Sequence, residues 1–314
     1  MRRPAHLTAS AMTAPSADDD LAKGLCDVVF ITVQYHNPAD TASFIESLRA
    51  QSDPRGIEVI VVENDRILDP PAELAADPVQ PAGQVGPYLF PVRVLRAPKN
   101  LYYWGGAAFA LDELSARGPL PRWVIISNND VTVEDSEFVR RLRSLDPVRY
   151  PIIGPSIISL ATGRDQNPIL RSRLGKLSEM KWMLYDSGYR MATSLLAVRG
   201  LWRSFRENAS RGGAGLADSS TAERIYAPHG AFVIFSSEFF DRGGRLDTTV
   251  PMFAEELTIA VTAERLEMPV WHLPQLRVSH REHSTTGSRL TRAKYELEKR
   301  ARRHYFGLKA AQRS

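Results

Sequence analysis

The first half of the chain repeats one pattern, a short apolar run that ends in a polar cluster. Four such runs occur: DVVFITV before QYHN, IEVIV before VEND, VRVLR before APKN and RWVII before SNND. Segments with helical spacing, at 40–51 and 104–118, lie between the first and second and between the third and fourth runs. Strands that alternate with helices favour a doubly wound, mostly parallel α/β sheet with helices on both faces. Ligands bind at the carboxyl ends of such strands, so the four clusters predict a site there.

The remaining secondary structure is predicted from the same kinds of pattern. Asp40 or Thr41 is the expected N-cap of the first helix, and two glycines are expected to lead into the helix at 104–118. In the second half we expect strands at 150–160, 225–236 and 269–274, a helix that opens at 255, and a C-terminal helix at 290–312.

Composition limits the class of protein. The 314 residues are 43% apolar and 24% charged, which is typical of a globular protein. No apolar run approaches the roughly 20 residues that a membrane-spanning helix needs, and no apolar segment of a signal peptide follows the N-terminal MRR. Cys26 is the one cysteine, which excludes an intrachain disulfide and fits a cytoplasmic protein. Residues 1–26 lack periodicity and predict a disordered leader.

Basic residues concentrate in two segments. Residues 289–314 hold nine Lys and Arg against two Glu, in a chain whose net charge is +4. This segment is either a solvated helix face or a surface for phosphates of a membrane, a lipid-linked substrate or nucleic acid. Residues 164–224 interleave Lys and Arg with Trp, Tyr and Phe. That pattern suits an interfacial or acceptor-binding insertion, and it equally suits helix core.

Asp130 follows the fourth apolar run directly. A hard divalent cation takes oxygen ligands, and a bound diphosphate supplies several, so one or two protein groups suffice. Asp is also a common turn residue, so the spacing alone leaves a metal ligand and a plain turn open. The chain has no zinc-ligand spacing, no G-x-G-x-x-G, no P-loop and no nucleophile elbow, so kinase, dehydrogenase and α/β-hydrolase classes have no support.

Three further residues allow two interpretations each. Glu255 and Glu256 open a predicted helix, where carboxylates either complement the helix dipole or provide a general base. His280 ends QLRVSH on the same side as the buried residues of that strand. It is either a core histidine or a borderline metal ligand that suits Mn²⁺ better than Mg²⁺, with His283 as a competing candidate.

Seven segments, taken in order, resemble family 2 glycosyltransferases of the GT-A fold, especially bacterial rhamnosyl- and galactofuranosyl-transferase-like members. They are VVFITVQYHNP, IEVIVVEND, PKNLYYWGGA, VIISNNDV, HGAFVIFSSEFFDRGGRLD, MFAEELTIAV and VSHREHSTTG. The resemblance implies a GT-A domain over 27–288 that contains 164–224 as a basic and aromatic insertion. A basic C-terminal helix over 289–314 would follow that domain.

The resemblance implies an inverting transfer of a sugar from a UDP- or dTDP-linked donor to a hydroxyl. The implied donor-binding residues are Tyr35, Glu63, Asp65, Asn100, Gly105, Gly106, Asn128 and Asn129. The implied acceptor-side residues are His229 and Gly230. The implied general base is Glu256, with Glu255 as its alternative. The implied ligands of Mn²⁺ or Mg²⁺ are Asp130 and His280.

The chain departs from the family pattern at a few positions. Asn128 stands where the first acid of the DxD motif is expected, and Ala107 and Ala108 replace two Asn. Glu replaces Asp at Glu63 and Glu256. The implied partners are a nucleotide-diphosphate sugar, a saccharide or lipid-linked saccharide and a membrane surface at the C-terminal helix, without nucleic acid. The alternative function is a catalytically silent nucleotide-sugar- or glycan-binding protein on the same fold.

Overall fold

The computed structural model describes residues 26–65, 90–195, 221–282 and 291–312. The strands are β1 (Val28–Gln34), β2 (Ile57–Glu63), β3 (Val92–Arg96), β4 (Trp123–Asn128), β5 (Val131–Thr132), β6 (Ile152–Ser159), β7 (Glu223–Ile225), β8 (Phe232–Ser236) and β9 (Val270–His280). The labelled helices are α1 (Pro38–Arg49), α2 (Tyr102–Ser115), α3 (Phe138–Arg143), α4 (Lys176–Tyr185), α5 (Ser237–Asp241), α6 (Glu255–Arg265) and α7 (Arg292–Ala311). Residues 1–25 of the predicted leader, His283 and the 196–220 part of the predicted insertion lie outside the described residues.

The first four strands form the parallel half of the sheet, in the order β3, β2, β1, β4. Every residue of β1 and β2 is buried, as expected of strands that are covered on both faces. Gln34 at the end of β1 lies opposite Glu63 at the end of β2, and Val33 lies opposite Asn128 of β4. The polar clusters after these strands therefore share one edge of the sheet, as the sequence predicts.

The second half of the sheet is mixed. β8 pairs antiparallel with β4, and the order continues through β6, β9 and β5. β9 runs parallel to β6 and antiparallel to β5 and β7. Because β5 follows β4 closely and pairs with the end of β9, Val131 lies opposite His280. This pairing carries a residue from late in the chain to the polar edge of the parallel half.

Helices cover both faces of the sheet. On one face, α1 and α3 contribute Phe44 and Phe138 to the core; on the other, α2 and α6 contribute Trp104 and Ile259. All four side chains are buried. The buried apolar area on both faces stabilises a layered α/β domain, which is the architecture that the alternating pattern predicts.

Both predicted starts of the early helices need correction. α1 begins at Pro38 with Asn37 as N-cap, because proline suits the first turn of a helix, and Asp40 and Thr41 are buried within the helix. α2 begins at Tyr102, so Gly105 and Gly106 lie in its first turns rather than in a turn before it. A Cβ atom on Gly106 would lie 3.0 Å from both γ-carbons of Val33, so this glycine allows α2 to pack closely on β1.

Two predicted strands have different extents. The run at 225–236 splits into β7 and β8, because Pro228 and Gly230 interrupt it. The predicted strand at 269–274 continues through Pro274 to His280 as the single strand β9. Its pairing with β6 shifts register between Pro155 and Ser156, and such an irregularity is where a strand tolerates proline.

α7 packs against the domain rather than lying alone in solvent. Tyr305 is fully buried and clusters with Leu257 and Val261 of α6. The ring of Trp182 on α4 lies 6.3 Å from the ring of Tyr305, and buried Lys309 pairs with Glu179 of α4. The basic C-terminal helix is therefore bound on two sides. None of the helices in the described ranges has the length and apolar character that a membrane crossing requires.

Candidate active site

Asp130 and His280 meet at the polar edge of the sheet. The Arg281 N–H donates to the Asp130 carbonyl oxygen at 3.0 Å, which extends the β5–β9 pairing. His280 Nε2 lies 3.2 Å from Asp130 Oδ1, and 8% and 7% of the two side chains, respectively, are exposed. The structure therefore brings together the two residues that the sequence assigns to a metal.

Gln166 fixes the orientation of the His280 ring. His280 Nδ1 lies 2.7 Å from Gln166 Oε1. An amide oxygen only accepts hydrogen bonds, so Nδ1 is the donor of this contact, and the ring is held with Nε2 toward Asp130. A metal-ligating imidazole typically donates its other N–H to an acceptor in this way. Gln166 lies in a loop without any motif, and nothing in the sequence indicates this role.

The donor set of this pair fits a divalent cation. A carboxylate oxygen together with an imidazole nitrogen suits Mn²⁺ better than Mg²⁺. No group of three or more His, Cys, Asp and Glu in the described part of the chain is arranged to hold a metal. Asp130 and His280 would therefore supply two ligands, and the oxygens of a bound diphosphate would have to complete the set.

The two asparagines before Asp130 make different contacts. The N–H of Asn128 donates to the Ala231 carbonyl oxygen at 2.8 Å. Asn129 is buried, and its Nδ2 donates to the Asn37 carbonyl oxygen at 3.0 Å and to Thr41 Oγ1 at 3.1 Å. The Asn129 amide nitrogen therefore anchors the loop to α1, and a donor contact of Asn129 stays a prediction. The donor contact of Asn128 stays a prediction.

Glu255 and Glu256 form the first turn of α6, beside Gly230. The Gly230 N–H donates to Glu256 Oε1 at 3.2 Å. A Cβ atom on Gly230 would lie 3.0 Å from that oxygen, so a larger residue here would push the carboxylate away from the backbone. Burial, reinforced by the negative charge of Glu256, raises the pKa of Glu255 to about 8. Glu255 is therefore mostly protonated at neutral pH, and the assignment of the general base to Glu256 stays a prediction.

His229 lies between the metal pair and the glutamates. Its ring is 6.1 Å from the ring of His280, edge to face. Its ring Nδ1 accepts the Ala231 N–H at 3.1 Å, so a neutral ring carries its proton on Nε2. The backbone N–H of His229 donates to Asn167 Oδ1 at 2.7 Å. Burial lowers the pKa of His229, although the charge of Glu256 opposes the shift. The predicted acceptor-side residues His229 and Gly230 thus lie next to both clusters.

Tyr103 is a site residue that the sequence analysis does not single out. Its hydroxyl donates to the Gly230 carbonyl oxygen at 3.0 Å. Burial raises the pKa of Tyr103 well above its usual value, and the charges of Glu255, Glu256 and Asp130 add to the effect. The two clusters are joined by direct contacts, from His280 to His229 and from Gly230 to Glu256. The signal available in the sequence was only its position inside PKNLYYWGGA.

The predicted donor-side residues line the same edge at β1 and β2. Asp65 has a side chain that is 1% exposed, and its Oδ2 accepts the His36 N–H at 2.6 Å. Tyr35 is half-buried, with its ring 4.0 Å from that of His36. Glu63 is buried and pairs with Arg96 of β3 at 3.2 Å, so its carboxylate links the neighbouring strands β2 and β3.

Asn64 holds Asn100 at this edge, and the sequence analysis overlooks it. Its Nδ2 donates to Asn100 Oδ1 at 3.0 Å and to the Tyr102 carbonyl oxygen at 3.2 Å, and its Oδ1 accepts the Leu101 N–H at 2.8 Å. One buried amide therefore fixes the loop that leads into α2. Asn100 itself is exposed at the polar edge.

Solved structures that share the fold of this chain include the following two. The crystal structure of GalNAc-T7 with UDP, GalNAc and Mn²⁺ matches 90% of this chain and 50% of that chain, with a TM-score of 0.52 and 13% identity. The structure of S. aureus TarS 1-349 in complex with UDP-GlcNAc matches 86% of this chain and 64% of that chain, with a TM-score of 0.52 and 11% identity. This chain therefore spans less than two thirds of either relative.

At these identities the similarity concerns the fold. The α/β GT-A fold that the sequence predicts is confirmed, with a parallel half and a mixed half in one large sheet. No family model and no curated protein matches the sequence.

Glu255 makes stability depend on pH. Its pKa is about 8 in the folded protein against an ordinary 4.5, so between these values the folded state binds more protons than the unfolded state. Stability is therefore expected to fall as pH rises through this interval, by at most about 1.4 kcal/mol per pH unit. Urea denaturation across this interval should show the slope for the wild type and a much smaller slope for Glu255→Gln. Glu113→Gln, at an exposed glutamate of α2, is the control; a flat wild-type profile would contradict the assignment.

Proposed function

We propose that this protein is an inverting glycosyltransferase that moves a sugar from a nucleotide-diphosphate sugar to a hydroxyl of a glycan or lipid-linked saccharide. The observation that carries the proposal is the proximity of a pair that could bind a metal, Asp130 and His280, to a pair of carboxylates, Glu255 and Glu256. The fold agrees, because its relatives are bound to UDP and Mn²⁺ and to UDP-GlcNAc. A member of family 2 that is similar to rhamnosyltransferases, acting in cell-envelope polysaccharide synthesis, is the specific form of this proposal.

The reaction would be a single displacement at the anomeric carbon. Glu256 would accept the proton of the acceptor hydroxyl as that oxygen bonds to the sugar, and the nucleoside diphosphate would depart from the opposite face. A bound Mn²⁺ or Mg²⁺ would offset the charge of the departing diphosphate. Asp130 and His280 would hold that cation, and Gln166 would keep His280 oriented. Tyr103 and Gly230 would hold the acceptor side in place.

The donor would lie across the carboxyl ends of β1, β2 and β4. Tyr35 and Asp65 would contact the base and ribose of a UDP- or dTDP-linked sugar, because the buried Asp65 carboxylate is fixed at the end of β2. Asn100 would contact the donor from the loop that Asn64 holds. The predicted domain extent, 27–288 with a basic insertion and a C-terminal helix, is part of this proposal.

A thermal-shift screen of nucleotide-diphosphate sugars, each with and without Mn²⁺, tests the proposal. A ligand that binds only the native state at about 100 times its Kd adds about 2.7 kcal/mol to the free energy of unfolding. In a chain of this size that corresponds to a rise in Tm of several degrees, of about 2–4 °C per kcal/mol. We expect a UDP- or dTDP-sugar to raise Tm more when Mn²⁺ is present. No shift with any nucleotide sugar would contradict the donor site.

The second candidate is binding of a nucleotide sugar without transfer. Asn128 favours it, because the amide removes one negative charge from the position of the DxD motif. It predicts a thermal shift with neither hydrolysis nor transfer of the bound sugar. Release of nucleoside diphosphate in the presence of Mn²⁺ therefore separates the two functions.

A further inference from the structure

α4 and the helical residues that follow it after a short turn expose large apolar side chains. Leu177, Met180, Met183 and Leu184 are 75%, 62%, 67% and 48% exposed, and Met191 is 42% exposed. We call these five residues the methionine-leucine face. Residues 177, 180 and 184 follow helical spacing, so they share one side of α4. A helix on a folded domain normally directs such a side toward the core.

The other side of this segment is already packed. The ring of Trp182 lies 6.1 Å from the ring of Phe306, and the rings of Tyr185 and Tyr189 lie 5.8 Å and 5.6 Å from that of Tyr295. The aromatic residues are therefore the helix core against α7, as one interpretation of their pattern held. The methionine-leucine face is a second apolar side, and it points away from that contact.

The acidic residues of the segment lie on the side packed against α7, and its basic residues are exposed. Its two acidic residues in the range 171–195 are Glu179 and Asp186, which pair with Lys309 and Arg302 of α7. Lys176, Lys181 and Arg190 are exposed. The carboxylates are thus neutralised on the packed side, while the outer side presents apolar side chains together with positive charge.

We infer that the methionine-leucine face docks this protein on an anionic lipid bilayer, with α4 lying in the plane of the interface. The apolar side chains would enter the boundary between headgroups and acyl chains, and the basic side chains would meet lipid phosphates. We call Lys176, Lys181 and Arg190 the basic rim of this face. These positive charges favour an anionic bilayer over a second copy of the chain, because the basic rims of two copies would repel each other. α7, to which the sequence analysis assigned membrane contact, would instead support α4 from behind.

This inference does not depend on the proposed reaction. Flotation with vesicles of phosphatidylcholine that contain about 30% phosphatidylglycerol tests it, with pure phosphatidylcholine vesicles for comparison. We expect the wild type to bind the anionic vesicles and to dissociate at high salt, because salt screens the basic rim. Leu177→Asp combined with Met180→Asp should weaken binding at least about tenfold. Lys181→Glu should remove most of the preference for phosphatidylglycerol.

Val148→Asp is the matched control, since Val148 is 60% exposed but lies outside the methionine-leucine face. It should bind vesicles like the wild type, and all variants should keep the wild-type Tm. Equal binding by the double variant and Val148→Asp, or no binding of the wild type, would overturn the inference. So would a wild-type dimer that the double variant dissociates, because it would identify a second copy as the occupant. A nucleotide-sugar thermal shift that survives in the double variant keeps this result separate from the proposed function.

Discussion

Replacing Glu256 with Gln is expected to lower the rate of sugar transfer by a factor of about 100 to 10,000, the range for loss of a positioned general base. The amide oxygen of Gln can still accept the Gly230 N–H that Glu256 Oε1 accepts at 3.2 Å, so the local packing is retained. What the variant loses is the ability to take a proton from the acceptor hydroxyl. The loss should therefore appear in kcat, while the Kd for the nucleotide sugar stays near the wild-type value.

Glu255→Gln is the matched comparison for this experiment. Because its pKa of about 8 keeps Glu255 mostly protonated at neutral pH, its replacement by a neutral amide should affect kcat far less. The measurement is single-turnover transfer with saturating donor, together with calorimetric binding of the nucleotide sugar. Near-wild-type turnover of Glu256→Gln with a large loss in Glu255→Gln would move the base to Glu255.

The parallel half of the fold could be predicted because its signals are local. Each of β1, β2 and β4 is a buried run that stops at a polar cluster, and strands of this kind with intervening helices allow few topologies. The meeting of Asp130 and His280 was implied by family resemblance, and the pairing of β5 with β9 supplies its physical cause. Spacing alone could not give it, since 150 residues separate the two.

The supporting residues could not be predicted, because their roles depend on contacts across the fold. Gln166 has no motif around it, yet it orients His280 from a distant loop. Tyr103 and Asn64 lay within quoted segments, but only the tertiary structure shows that they hold Gly230 and Asn100. The donor role of Asn129 was implied by family resemblance and stays a prediction, whereas its buried contact with α1 is visible only in the tertiary structure.

The packing of α4 and α7 could not be predicted from the sequence either. Sequence alone left the aromatic residues of α4 open between core and interface, because both uses need the same amino acids. The position of α7 decides for core, since Trp182 and Tyr185 pack against it. The exposed residues are then the methionines and leucines, which the sequence analysis did not weigh.

Replacing Asp130 with Ala is expected to abolish Mn²⁺ binding in the presence of UDP and to remove the stimulation of transfer by Mn²⁺. Asp130 is the one carboxylate of the pair, and without it the cation would keep only the imidazole of His280, although a hard cation prefers an oxygen ligand. Gln166→Ala should weaken Mn²⁺ binding by about 10- to 100-fold, the range for loss of a group that orients a ligating histidine. Titration of Mn²⁺ followed by electron paramagnetic resonance measures both effects without any turnover.

Asp247→Ala is the control, because Asp247 pairs with His304 at 2.6 Å outside the candidate site. Removing that partly buried pair tests whether loss of another Asp–His contact disturbs the protein enough to affect the metal. We expect Asp247→Ala to bind Mn²⁺ like the wild type, with Asp130→Ala at background and Gln166→Ala between them. This ranking of Mn²⁺ affinities is expected only if Asp130 is a ligand and Gln166 orients the imidazole of His280. Wild-type affinity in Asp130→Ala would show that the cation is held by the diphosphate and other groups, and the sequence SNND would then be a polar turn.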